Sequence, residues 1–212
     1  MNNKSDYYDI EVEIDESIMR GITISEAFYI KDLKQRKIFI NENICQATVW
    51  DAVRNILQFN REDIGIPVED RVPIKLYVVS NGGEVDSGFE LIDAIMASET
   101  PVYTINLGYQ YSMGFYIGIA GHKRFAMPNA KFLMHDGTNM AWNSMAKVQD
   151  QMRFQERAES RTKNYVVTRT KITPDQYDEQ YRREWYMFAE DAKEFGVTDY
   201  IIGVDCSLEE II

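Results

Sequence analysis

The chain has 212 residues, of which 45% are hydrophobic, and its 34 acidic and 23 basic residues give a net charge of −11. A chain of this length can bury the core of a single domain. Its negative field repels nucleic acid and anionic lipid, so neither is expected as a partner. No run of 18 uncharged apolar residues predicts a membrane span, and the acidic N-terminal segment lacks the apolar stretch of a signal peptide.

Cysteine and histidine are both scarce. Cys45 and Cys206 are the only cysteines, with no CxxC motif and no neighbouring histidines. This usage argues against a disulfide scaffold or a zinc site and indicates a reducing, cytoplasmic location. The histidines are His122 and His135, so chemistry that needs an imidazole base has few candidates.

The first 35 residues are charged and weakly periodic, and we predict an arm that is mobile or binds a partner. Short apolar runs then alternate with segments of helical periodicity. The predicted strands cover 36–40, 74–80, 101–107 and 131–135, and the predicted helices cover 46–59, 85–98 and 112–121. Alternation with short turns favours parallel βαβ units over a sandwich.

Apolar side chains at helical spacing predict the buried stripes of the first two helices. The stripe of helix 46–59 contains Trp50, Val53, Ile56 and Leu57, and that of helix 85–98 contains Phe89, Ile92, Ile95 and Met96.

The pattern changes after about residue 140. Helical spacing over 141–169, with many charges, predicts a long helix that partly projects and suits contact with a partner subunit. Thr173 and Pro174 form an N-cap and first-turn pair for a further helix. The segment 188–203 predicts a short helix ended by Gly196 and a last strand.

Two glycines, Gly82 and Gly83, separate a buried strand from a helix in the sequence VVSNGGEV. One glycine is explained by a tight turn with positive φ, and the second indicates that another backbone or a ligand comes close. The motif is neither a P-loop nor a dinucleotide fingerprint. Its free amides would suit an anion.

Ser112 stands at the start of an apolar helix in the sequence YQYSMGFYIG. Taken alone, the position favours a helix cap, because most serines are structural. The alternative is a nucleophile beside amides that hold an anion. Parallel strands direct their carboxyl ends to one edge of a sheet, where ligand sites form. We therefore expect the NGG turn, Ser112 and His135, which ends the strand KFLMH, to converge at this edge.

These motifs together resemble those of the proteolytic subunit of the Clp protease. The runs IKLYVVSNGG, YSMG and KFLMHDG occur in the order and at the separations typical of that family, and the resemblance extends from about residue 37 to residue 203. It implies an α/β fold of repeated βαβ units in a ClpP/crotonase-like spiral, with a long projecting handle helix. It also implies two regions, an N-terminal arm over 1–35, axial or partner-binding, and a catalytic domain over 36–212.

The resemblance implies roles for five residues. Carried over by position, the nucleophile falls on Ser112, the general base on His135, and the oxyanion donors on the backbone amides of Gly83 and Met113. The third member of the triad falls on Glu184, where the family has aspartate.

Glutamate carries the same charge one methylene farther out, and some hydrolase triads use it. A surface ion pair with a neighbouring arginine is the alternative for Glu184, with Asp178 and Asp136 as further residues able to orient the imidazole. His122, in a Gly-His-Lys turn, is interpreted as a loop residue. Tyr111 replaces a small residue beside the nucleophile.

The resemblance also implies what the chain works with. We expect a serine endopeptidase that acts on unfolded polypeptide inside two stacked heptameric rings, fed by an ATP-dependent unfoldase and needing no cofactor of its own. One alternative is an inactive ring subunit, which Glu184 and Tyr111 keep open. Another is a crotonase-type acyl-CoA enzyme, which uses two amides and needs no serine. A serine-lysine peptidase is a weaker alternative, because a histidine is present.

Overall fold

The computed structural model describes residues 21–138 and 142–212. The first twenty residues of the predicted arm lie outside the described residues. The described helices are α1 (Ile24–Lys34), α2 (Gln46–Glu62), α3 (Val85–Ala97), α4 (Met113–Gly118), α5 (Met145–Arg169), α6 (Pro174–Gln180) and α7 (Ala189–Glu194). The described strands are β1 (Lys37–Ile40), β2 (Ile74–Val78), β3 (Val102–Asn106), β4 (Tyr109–Tyr111), β5 (Lys123–Ala126), β6 (Lys131–Met134), β7 (Trp185–Phe188) and β8 (Tyr200–Ile201).

Five strands form a wholly parallel sheet in the order β1-β2-β3-β5-β8. Leu76 in β2 pairs with Ile38 in β1 and with Thr104 in β3. Parallel pairing needs crossover helices, which cover the sheet and explain why its strands are nearly continuous apolar runs. The main core joins Leu76 to Ile56 of α2 and Ile95 of α3, all fully buried. The predicted α/β class with parallel βαβ units is confirmed.

The remaining three strands form a small mixed sheet in the order β4-β6-β7. Strand β4 runs parallel to β6, and β7 runs antiparallel to it. Of these strands only β6 was expected from the sequence. The small sheet is important for the site because β4 leads directly into Ser112 and β6 leads directly into His135.

Part of the predicted arm is helical. Helix α1 begins after Thr23, whose hydroxyl accepts a hydrogen bond from the Glu26 amide while the Glu26 carboxylate accepts one from the Thr23 amide. This capping box satisfies amides that a helix start otherwise leaves free. No residue of α1 is buried, although Leu33 packs against the main core.

Three residues of the predicted apolar stripes are exposed. Val53 and Ile56 of α2 are buried, but Trp50 and Leu57 are 51% and 58% exposed. In α3, Met96 is 48% exposed. Their assignment to the core was wrong because one helix face spans too narrow an arc to bury neighbours such as Ile56 and Leu57 together.

The helix predicted over 141–169 corresponds to α5, which begins four residues later than predicted and is 25 residues long. Val166 near its C-terminal end is its only buried residue, so most of its length lies in solvent in this chain. Thr173 caps α6 with Pro174 in the first turn, as predicted. Within the described residues, no helix has the length and apolar character needed to cross a membrane.

Candidate active site

The NGG turn and the turn at Ser112 pack directly against each other. Gly82 has φ of +97°, and a Cβ placed on it would lie 2.6 Å from the Ser112 Cβ and 2.8 Å from the Tyr111 carbonyl oxygen. Only glycine permits this approach, because any side chain would overlap the neighbouring turn. The close backbone contact that the glycine pair predicted is therefore confirmed.

Ser112 has an unusual backbone conformation, with φ of +52° and ψ of −121°. Non-glycine residues rarely adopt positive φ, and such strain is concentrated at functional turns. The residue precedes α4 in the N-cap position, yet its side chain makes no capping hydrogen bond. Its amide donates to the Leu133 carbonyl of β6 at 2.9 Å, which fixes the turn against the small sheet. The cap interpretation of this serine is thus wrong, and its hydroxyl is left for another use.

The two amides assigned as oxyanion donors flank this contact. The Ile44 amide donates to the Gly82 carbonyl and the Glu84 amide to the Ile44 carbonyl, each at 2.8 Å. These two hydrogen bonds engage the carbonyl of the residue before Gly83 and the amide of the residue after it. Among the described residues, the Gly83 amide itself has no backbone acceptor. The same holds for the amide of Met113, the first residue of α4. Free amides next to a serine at a helix start are the groups that bind a developing negative charge.

His135 follows β6 directly and is half-buried. The Ser112 amide donates a hydrogen bond to the carbonyl of Leu133, which lies two residues before His135. Ser112 and His135 therefore follow the ends of two adjoining strands, β4 and β6. The His135 carbonyl accepts from the Tyr116 hydroxyl at 3.3 Å, and the next amide, that of Asp136, donates to the Tyr181 carbonyl at 2.8 Å. These bonds hold the backbone at the imidazole.

Glu184 lies immediately before β7. The antiparallel register pairs Met134 with Trp185, so the next step outward places His135 opposite Glu184. The Glu184 side chain is exposed, and its Oε2 accepts a hydrogen bond from the Tyr186 hydroxyl at 3.0 Å. Among the described residues, no hydrogen bond joins the imidazole of His135 to Ser112 or to Glu184. The fold brings three strand ends together, but the side chains are not hydrogen-bonded as a triad.

Two further candidates, Asp178 and His122, have partners of their own. Asp178 forms an ion pair with Lys163 at 2.6 Å. His122 precedes β5 at the amino end of the strand, and its Nδ1 accepts from the Val102 amide at 3.0 Å. The interpretation of His122 as a loop residue is confirmed.

Two tyrosines near the site were not expected to interact. The Tyr111 and Tyr186 rings meet edge to face, with centroids 5.9 Å apart and planes at 89°. Both tyrosines are paired in register with Leu133 of the central strand β6, so they project from the same face of the small sheet. From the sequence, Tyr111 could be recognised as a bulky residue beside the serine. Tyr186 could not be placed near it, because strand β7 was not predicted.

Together, a parallel sheet of βαβ units and a serine turn packed on a glycine turn at the strand ends define an α/β protein of the ClpP/crotonase type. The family model described as Clp protease matches residues 23–205. The chain therefore belongs to the Clp protease family, whose members are serine peptidases.

Two curated relatives support this membership. The chain is 28% identical over 177 residues to "ATP-dependent Clp protease proteolytic subunit 2" of Treponema pallidum, which covers 82% of this chain and 86% of the relative. It is 27% identical over 184 residues to the protein of the same description from Corynebacterium diphtheriae, which covers 86% of this chain and 89% of the relative. These matches do not favour a crotonase-type acyl-CoA enzyme, a serine-lysine peptidase or an inactive ring subunit.

Proposed function

We propose that the chain is a serine endopeptidase in which Ser112 attacks the peptide carbonyl and His135 takes its proton. The oxyanion forms between the amides of Gly83 and Met113, and Glu184 orients the imidazole and stabilises its cation. His135 then returns the proton to the leaving amine, and water releases the acyl group by the same sequence of steps.

One observation carries this proposal. The Ser112 hydroxyl occupies a helix N-cap position at positive φ without capping the helix, next to two amides that lack backbone acceptors among the described residues. A conformation that costs about 1–3 kcal/mol persists only where the surrounding structure imposes it. A serine needed solely for the turn would be replaced at lower cost by glycine.

The assembly is a further part of the proposal. By resemblance, such subunits stack as two heptameric rings with α5 at the contact between rings, and its largely exposed surface suits such burial. The relatives' description as ATP-dependent proteolytic subunits supports delivery of unfolded polypeptide by a separate ATP-driven unfoldase. The cysteine usage supports a cytoplasmic location.

Labelling by a fluorophosphonate tests the chemistry directly. The probe is expected to add to Ser112, located by mass spectrometry after proteolysis, and to fail with Ser112→Ala. Ser144→Ala is the matched control, because Ser144 also occupies an N-cap position without a side-chain cap bond. His135→Ala is expected to slow labelling at least a hundredfold, the usual contribution of a general base.

The result also separates an active subunit from an inactive one. Full labelling of Ser144→Ala with none of Ser112→Ala supports the proposed nucleophile. A folded wild-type protein that resists the probe as a purified oligomer, and does so with an unfoldase present, is the inactive ring subunit. Mass measurement of the native oligomer tests the fourteen-subunit assembly separately.

A further inference from the structure

A second site is indicated by a cleft at the opposite end of the parallel sheet from the NGG turn. It has a volume of about 590 Å³ and lies at the amino ends of β5 and β8, between the end of α5 and the turn after α7. This volume falls within the range of about 300–1,000 Å³ typical of small-ligand sites. None of the residues assigned to catalysis lines it.

The lining of this cleft is strongly basic in an acidic chain. It contains five cationic side chains and a single carboxylate, that of Asp199; the cations are Lys123, Arg124, Arg169, Lys171 and Lys193. Both oxygens of Asp199 are occupied by the Arg124 guanidinium, at 2.5 and 3.0 Å. Because acidic residues outnumber basic ones by 34 to 23 in the whole chain, a concentration of positive charge in one concave place is a local feature.

Several donors in the cleft remain available. The Arg169 guanidinium donates through Nε and Nη2 to the carbonyls of residues 119–121, which directly follow α4, at 2.6–3.1 Å. Among the described residues its Nη1 has no acceptor. The Arg169 guanidinium is therefore held in place by the fold, while its Nη1 remains available to a ligand. The His122 ring accepts at Nδ1 from a backbone amide, so in its neutral form its proton is on Nε2.

Lys171 is the most available cation. It is exposed, and its side chain has no hydrogen bond or ion pair within the described parts of the chain. The aliphatic part of the Lys171 side chain packs against Gly196, which has φ of +67°. A Cβ placed on Gly196 would lie 3.0 Å from the Lys171 Cγ. A residue with a side chain at this position would crowd the stem, so the turn after α7 leaves room for Lys171 to lie along the cleft wall.

We propose that this cleft binds a compact polyphosphate. Two of the lining lysines are already engaged, since Lys193 is ion-paired with Asp205 and Lys123 lies over a tyrosine ring. The fixed guanidinium of Arg169 and the ammonium of the exposed Lys171 around one concave space suit a ligand with several negatively charged oxygens. A ligand with only one carboxylate group would neutralise only a fraction of the positive charge that lines the cleft. The chain's overall negative field opposes nonspecific attraction of polyanions, so binding requires a local site of this kind.

Isothermal titration calorimetry of the full chain with inorganic tripolyphosphate, at low ionic strength, tests this assignment. Binding is expected to weaken about tenfold or more in Lys171→Glu, which replaces an attraction by a repulsion. Lys147→Glu is the matched control, because Lys147 is an exposed lysine of α5 outside the cleft; a change below about twofold is expected there. In NMR spectra the ring signals of His122 are expected to shift on titration while those of His135 stay in place.

The source of the phosphate chain is separated by titrating ATP and adenosine in parallel. Equal affinity for ATP and tripolyphosphate supports a site for the phosphate chain alone, and tighter binding of ATP with no binding of adenosine supports a nucleotide's phosphate chain. Absence of heat with tripolyphosphate overturns the proposal. So do equal losses in Lys171→Glu and Lys147→Glu, or adenosine binding as tightly as ATP.

Discussion

The Tyr186 hydroxyl donates a hydrogen bond of 3.0 Å to Oε2 of Glu184, the residue that we propose orients the His135 imidazole. This hydrogen bond raises the pKa of Tyr186, because an ionised phenol could no longer donate it and would place a second negative charge beside the carboxylate. The Tyr186 ring is held in turn by its edge-to-face contact with Tyr111. A glutamate side chain has more rotamers than an aspartate, and a donor bound to one oxygen restricts them. The other oxygen remains available for the proposed hydrogen bond to His135.

Tyr186→Phe is therefore expected to lower kcat/KM for peptide hydrolysis on the order of fivefold, as expected for one exposed hydrogen bond to a charged group. The same change in a Glu184→Ala background is expected to have no further effect, since the two residues act as a pair. Tyr109→Phe is the control within the same aromatic cluster, because Tyr109 touches Tyr111 and its hydroxyl has no partner among the described residues. A loss of equal size in both backgrounds would contradict the pairing, as would an increase in activity.

Gly82→Ala is expected to abolish labelling of Ser112 by a fluorophosphonate. Its Cβ would approach the Ser112 Cβ to 2.6 Å and the Met113 amide nitrogen to 2.9 Å, so the serine turn must shift. Gly65→Ala isolates the cost of positive φ, because Gly65 has φ of +88° and no atom within 4 Å of the added Cβ.

Both variants are expected to lose about 1 kcal/mol of unfolding free energy through backbone strain, with a further loss for Gly82→Ala. Only Gly82→Ala is expected to lose labelling. Normal labelling of a folded Gly82→Ala protein would mean that the glycine turn does not set the position of the serine.

Thr23→Ala and Thr173→Ala remove two capping boxes of the same design. Each cap is typically worth about 1 kcal/mol. Helix α6 buries Tyr177, so Thr173→Ala is expected to lower the melting temperature. Helix α1 buries no residue, so Thr23→Ala is expected to speed amide hydrogen exchange in α1 and leave the melting temperature unchanged. A lower melting temperature for Thr23→Ala would show that α1 unfolds together with the domain.

Strands β1 to β3 of the large sheet were predictable from sequence because they read as largely apolar runs, as in IKLYV. Strand β5, KRFA, was missed because it is short and begins with two charged residues. The small sheet was missed because β4 and β7 alternate buried with partly or fully exposed residues over only three or four positions. Windows that short do not establish a period. As a result the sequence predicted that the Ser112 turn lies beside the strand that ends at His135, but not the Tyr186 contact with Glu184.

Glycine spacing was more informative about the site than hydrophobicity. The glycine pair predicted a close backbone approach, and both glycines make one: Gly82 against the Ser112 turn and Gly83 against the Ile44 backbone. The N-cap preference of serine was misleading at Ser112, because propensity describes an average helix start and this one is fixed at positive φ by its contacts with the Gly82 turn and β6.

Asp63 is a buried carboxylate away from the site, 1% exposed, at the C-terminal end of α2. It accepts from both Nη atoms of Arg36, at 2.6 and 2.7 Å, and from the Thr100 hydroxyl at 2.7 Å. The hydrogen bonds from Arg36 lower the pKa of Asp63 below its usual value of 3.8. Asp63→Asn keeps the shape but leaves the guanidinium without its counter-charge, and is expected to lower the unfolding free energy at pH 7 by about 3 kcal/mol.

The pH dependence of that loss follows from the direction of the shift. A carboxyl with a lowered folded-state pKa contributes stability that is complete above the unfolded pKa and is lost as pH falls through the folded one. The difference in urea midpoint between wild type and Asp63→Asn is thus expected to be constant from about pH 5 to 7 and to shrink below about pH 4. Asp51→Asn is the control, because Asp51 pairs with Arg54 at 3.8 Å with both side chains about two-thirds exposed, and it is expected to change stability by less than about 0.5 kcal/mol. A wild-type advantage over Asp63→Asn that stays the same down to pH 2 would mean that the ion pair does not stabilise the fold through charge.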